Sequence, residues 1–218
     1  MGFPAAPQAI RDPVRVTMIR LSIFPLAGAI LFPGLHLPLH IFEPRYRALV
    51  SDAMARDRRI GMIQPRGEGD HPPLFDIGCV GRITDIEMLD DGRSNIVLEG
   101  LSLFRVVRDL EVTTQFRQVE AELLAVPADD TLSLAARAGL ELESKRFAEA
   151  QGYAVDWDAV GRLDDASLVN GIAQIAPFDS AAKQALLEAR TVAERAELVV
   201  QLLQFFGRHD GEDRVTLQ

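Results

Sequence analysis

The stretch Leu21–Phe42, "LSIFPLAGAILFPGLHLPLHIF", carries no charged side chain when His36 and His40 are neutral, and it gives way to "EPRYRALV" (43–50). A membrane span, a metal site at the histidines, an apolar binding surface and a set of core strands all compete to explain it. Pro25, Pro33 and Pro38 lie inside the run, with Gly28 and Gly34 between them. A bilayer accepts only backbone that satisfies its own hydrogen bonds, and each interior proline costs a helix roughly 3 kcal/mol. The run is therefore no membrane helix. Short strands broken by Pro/Gly turns fit it, first "IRLSIF" (19–24) and then "LHLPLHIF" (35–42).

The two histidines do not make a metal site in that reading. Pro38 between them opposes the helix on which an i, i+4 pair would share one ion. On a strand they share a face but stand about 13 Å apart, whereas a single ion holds its ligands at about 2 Å. No metal and no cofactor is expected.

Working outward, the period changes after Phe42. Pro44 suits the first position of a helix, and Tyr46, Leu49, Val50, Ala53 and Met54 follow at helical spacing. "RIGMIQP" (59–65) reads as a strand and "RGEGDHPP" (66–73) as an exposed loop. From Phe75 to Val126 the pattern is β throughout: "DIGCVGRITDIEML", a "DDGR" (90–93) hairpin turn, "SNIVLEGLSLFRVV" and "QFRQVEAELLAV". At "PADD" (127–130) the character switches to helices over 131–151, 164–176, 179–188 and 191–206, with a capping box predicted from Thr191 and Glu194. Strands followed by helices predict an α+β fold. Its divisions are a disordered leader (1–17), a β-barrel unit (18–127), a helical bundle (128–207) and a flexible tail (208–218).

The chain has 218 residues, 48% of them hydrophobic and 25% charged, with a net charge of −9. That composition predicts a folded protein and argues against nonspecific attraction to nucleic acid or anionic lipid. Cys79 is the single cysteine, so no intrachain disulfide forms and a reducing cytoplasm is the expected location. It sits in an alternating strand and reads as buried and inert. The first residues, "MGFPAAPQAIRDPVRV", lack the apolar core of a signal peptide.

No catalytic constellation emerges. The chain has no Gly-Lys pair, hence no P-loop, and "GLSLF" (100–104) has Phe104 where a nucleophile elbow needs glycine. A Ser/Lys dyad would need Lys145 or Lys183, both on predicted amphipathic helices without a glycine-rich turn to expose a nucleophile. The Asp pairs at 90–91, 129–130 and 164–165 sit in turns or at helix starts. Arg56, Arg58, Arg59 and Arg66 form a candidate basic patch, without the interleaved aromatics that stack bases.

Three ordered blocks carry a resemblance: "FPLAGAILFPGLHLPLHIFEPRYRALV" (24–50), "FDIGCVGRITDIEMLDDGRSNIVLEGLSLFRV" (75–106) and "PFDSAAKQALLEARTVAERAELVVQLL" (177–203). Together they look like the Lon N-terminal domain, over about residues 18–206. The resemblance implies a PUA-like β pseudobarrel followed by an α-helical bundle, and recognition of unfolded or exposed polypeptide. It implies no catalysis, since the residues for ATP hydrolysis and peptide cleavage are absent from this sequence. It implies no zinc pocket of the kind cereblon carries, with one cysteine present.

The resulting expectation is a stand-alone, non-enzymatic module that binds polypeptide clients, or a protease or chaperone partner, as an adaptor or regulator in protein quality control. Homo-oligomerisation is left open. Such a surface needs exposed apolar side chains or a free strand edge. "ILFPGLH" (30–36) and the 66–73 loop are the candidates, with Phe32, Leu35 and His36 as binding residues. Arg45 and Arg47 are expected to pair with neighbouring carboxylates. The alternative is an RNA-binding PUA-like module using Arg56, Arg58, Arg59 and Arg66.

Overall fold

A computed structural model of the chain describes residues 17–69, 71–125 and 131–213, with side chains through Gly207. The expected leader and the 127/128 boundary lie essentially outside these residues. Six strands come first, with one helix among them: β1 (Thr17–Pro25), β2 (His36–Ile41), α1 (Pro44–Met54), β3 (Arg59–Ile63), β4 (Ile77–Met88), β5 (Ser94–Asp109) and β6 (Gln118–Leu123). Five helices follow: α2 (Leu134–Gln151), α3 (Trp157–Val160), α4 (Asp165–Ile175), α5 (Ser180–Glu188) and α6 (Val192–Asp213). The α+β class is as expected. The last helix runs on to Asp213, past the Phe206 at which the apolar pattern ends.

The sheet order is β2-β5-β4-β3-β1-β6, and β6 also pairs with β5. Strands β1, β3, β4, β5 and β6 thus close into a ring, with β1–β3 parallel and the other pairs antiparallel. The 16-residue β5 serves both ends of the closure. Register shifts at Val80/Gly81, Ile83/Asp85 and Val106/Arg108 give it the bend it needs. The hairpin predicted at 90–93 is present: Gly92 N donates to the Leu89 carbonyl, and φ of +78° there suits glycine.

Strand β2 lies outside the ring, against the first half of β5. Gly34 N donates to the Gly100 carbonyl, and Gly100 N to the Leu35 carbonyl. The odd-numbered backbone groups of β2 therefore face β5, and the even-numbered ones face away. Pro38 belongs to the outward set and has no N–H to offer, which blunts the edge against further strand pairing. His36 and His40 are exposed on one side of this strand, as expected. Helix α1 begins with Pro44 at N1 and buries Tyr46, Leu49, Val50 and Ala53, the predicted face.

The helical part is capped as its sequence suggests. Ser133, Asp164 and Asp179 accept from Ala136, Ser167 and Ala182 N–H. Thr191 Oγ1 accepts from Glu194 N, while Glu194 Oε2 accepts from Arg190 N, so the reciprocal half of the box lands one residue early. Two buried clusters fill the barrel. The third unites the helices with Ile30 and Phe32 from the loop between β1 and β2. Chain order divides the protein into two parts, but the helical core is completed by the barrel's own loop.

Candidate functional site

The seam between barrel and helices is fixed by polar side chains on helix α5 and just after strand β3. Gln64, 1% exposed, accepts from Gly28 N at 3.0 Å and donates to the Ser180 carbonyl at 3.0 Å and to Gln184 Oε1 at 3.2 Å. Gln184 Nε2 reaches the Ile77 carbonyl at 3.1 Å, and Lys183 Nζ donates to the Gly28 carbonyl at 2.9 Å. Burial pulls the Lys183 ammonium below the ordinary lysine range. Each amide uses donor and acceptor at once, which is the condition for burying such groups without loss.

Beside this clamp the seam opens into a cleft of about 770 Å³. Leu103 and Arg105 of β5 and Ile77 of β4 form one wall, and Ala166 and Asn170 of α4 form part of the other. Leu187, Arg190, Val192 and Arg195 contribute from the α5–α6 corner. The cleft is of mixed character, since Asp76, Arg105, Glu188 and Arg190 line it beside the apolar side chains, and cavities of this size at the junction of structural units are typical ligand sites.

Arg195 organises the cleft. It is 7% exposed, and its guanidinium donates through Nε to the Leu186 carbonyl at 2.8 Å and through Nη2 to the Ala189 carbonyl at 2.8 Å. Nη1 holds Asn170 Oδ1 at 3.0 Å, and Cζ lies 5.0 Å from the centroid of the Phe32 ring. A planar five-donor fork can meet all of these at once; an ammonium cannot.

The predicted site residues fare unequally. Phe32 does reach the cleft, but from within: its ring is 0% exposed, packed in the helical core under Arg195. The expectation of an exposed Phe32 is corrected, because the loop turns inward where Gly100 lets it approach; a Cβ there would collide with the Phe32 carbonyl. Leu35 is half-buried against the same core. His36 is exposed, and its carbonyl accepts from Gln174 Nε2 at 2.8 Å.

The four arginines of the expected basic patch do not all come together, because Arg66 lies at the other end of β3 from Arg56, Arg58 and Arg59. Arg56 and Arg58 precede β3, Arg59 opens it and Arg66 follows it, a separation of Arg66 from the others of roughly 20 Å at strand spacing. Arg56 pairs with Asp52 at 3.0 Å, Arg59 with Asp57 at 3.6 Å and Arg66 with Asp76 at 3.1 Å. Arg45 pairs with Glu43 at 2.9 Å, in line with its expected surface role.

Asn170 and Arg195 escaped the sequence reading. Their signal was present: Asn170 interrupts the buried face of Leu168, Val169 and Ala173, and Arg195 that of Val192, Ala196 and Val199. A polar residue on an apolar helical stripe marks either a buried partner or a site.

Residues 20–204 match the family of ATP-dependent protease La (LON) substrate-binding domains. The chain belongs to that family. Lon protease 2 of Myxococcus xanthus is 30% identical over 200 residues, covering 84% of this chain and 23% of that protein. Lon protease of Escherichia coli K12 is 26% identical over 206 residues, covering 88% and 26%. This LON domain chain thus spans about a quarter of the length of such relatives. Among solved structures, a Lon N-terminal domain protein from Xanthomonas campestris superposes with a TM-score of 0.64 at 23% identity, over 85% of this chain and 98% of that one. The N-terminal domain of Mycobacterium avium complex Lon protease gives 0.62 at 20% identity, with the same coverage. Both show that the fold is that of Lon N-terminal domains.

Proposed function

We propose that this LON domain recognises exposed polypeptide segments without chemistry of its own, serving a proteolytic quality-control system as adaptor or regulator. The observation that carries the reading is the membership of residues 20–204 in the LON substrate-binding family. The seam cleft is the surface we assign to it: apolar side chains to take those of a client, with polar and charged groups between them to orient a chain. Its clients are unfolded or partly unfolded proteins, and a protease or chaperone partner would act on what it holds.

The test is retention of a denatured model protein, such as reduced α-lactalbumin, and of peptides on a broad array by the purified chain. Saturable binding to apolar segments, together with absence of peptide turnover with or without ATP, is the expected result. A chain that retains neither denatured protein nor any peptide overturns the proposal.

A further inference from the structure

Asn170 is a buried amide, 7% exposed, on the cleft-facing side of α4. Its Oδ1 is taken by Arg195 Nη1 at 3.0 Å. That bond fixes the orientation of the carboxamide, because a guanidinium has only donors and can face only the oxygen. Among the described residues no acceptor takes the amide nitrogen, and Asn170 lines the cleft, so its N–H donors are the end available there. The same cleft is lined by Leu103 and Val192, by Arg105 and Arg190 as further donors, and by the carboxylates Asp76 and Glu188. A site with an oriented donor beside apolar side chains, in a wall that also carries donors and acceptors, suits a ligand with an acceptor next to apolar surface. A main-chain carbonyl beside an apolar side chain has that chemistry. A donor so placed discriminates strongly, since a ligand without the acceptor leaves it unpaired in a poorly solvated place.

We propose that Asn170 is the chain-reading residue of the LON cleft: its Nδ2 donates to a main-chain carbonyl of an extended polypeptide segment while the adjoining apolar side chain of that segment fills the floor. Arg195 is the positioning residue that holds the amide in register. The inference rests on the polypeptide-binding function proposed above and adds the group that reads the backbone.

The experiment uses the full chain and a fluorescein-labelled, C-terminally amidated peptide, Ala-Gln-Ala-Phe-Ala-Gln-Ala, followed by fluorescence anisotropy. Asn170→Asp keeps the acceptor for Arg195 and replaces the donor by a second acceptor. It is expected to weaken the peptide roughly 10- to 100-fold with no fall in thermal midpoint. Ala166→Phe, which fills the cleft from α4, is expected to abolish binding, while Arg190→Gln, which keeps a donor, weakens it only modestly. Wild-type binding with Asn170→Asp equally tight overturns this inference and leaves polypeptide recognition standing. Failure of the wild type to bind either this peptide or denatured protein overturns both.

Discussion

The guanidinium of Arg195 lies over the ring of Phe32, 5.0 Å from Cζ to centroid, and the ring is 0% exposed. This contact joins the loop after the first strand to the last helix. It makes Phe32 a structural residue. Phe32→Ala should cost roughly 3–5 kcal/mol, read as a lowered urea midpoint, and Phe32→Leu distinctly less. A loss below about 0.5 kcal/mol, the size of an ordinary surface change, would show that the ring is not packed as described.

Arg58 holds φ at +61°, between α1 and β3, with its N–H on the Ala53 carbonyl and its carbonyl accepting from Ile83 N. A left-handed conformation costs a residue with a Cβ about 1–2 kcal/mol, part of which glycine recovers before its larger unfolded-state entropy is counted. Arg58→Gly should therefore raise stability by about 0.5–1 kcal/mol. A lowered midpoint would mean that the arginine side chain supports the turn.

Two aspartates at the start of α4 make the fold acid-sensitive. The Leu132 N–H at 2.8 Å and the Arg137 guanidinium at 2.6 Å hold the Asp165 carboxyl below the usual aspartate range. The Ser167 hydroxyl and N–H do the same for Asp164. Folded values lie below unfolded ones, so the stabilisation is complete above the ordinary aspartate pKa of about 3.9 and disappears as pH falls through the folded values. Urea midpoints should drop steeply below about pH 4, and Asp165→Asn should flatten that slope while lowering stability at pH 7. An unchanged slope contradicts the assignment.

Cys79 is 0% exposed, and burial pushes its thiol up to about 12. Alkylation by iodoacetamide at pH 8 should proceed only as fast as the protein opens, rising sharply across the urea transition. Rapid labelling of the native protein would refute the burial.

Much of the architecture is written locally. Pro44 and its apolar spacing mark α1, Asp-Gly at 91–92 marks the β4–β5 turn, and Asp164 and Asp179 mark helix starts. The class followed from such signals in order, and the family from the resemblance of three ordered blocks. The cleft did not, since its wall joins Leu103, Asn170 and Arg195, and no local period says which distant apolar stripe a loop will join. "ILFPGLH" shows the limit: hydrophobicity marked the segment as special but is equally suited to a core or to a client. Arg66 lies away from Arg56, Arg58 and Arg59 for a related reason, because closeness in sequence across a strand is distance in space.

The loop bearing Ile30 and Phe32 leaves the ribosome long before the helices that bury it. Arg195 is roughly 160 residues further on, and at ~5–20 residues per second the delay is on the order of ten seconds or more. Throughout that interval a nascent barrel displays an uncovered phenylalanine. A protein of a substrate-binding family thus passes through its own synthesis displaying the kind of apolar segment that other proteins expose when unfolded.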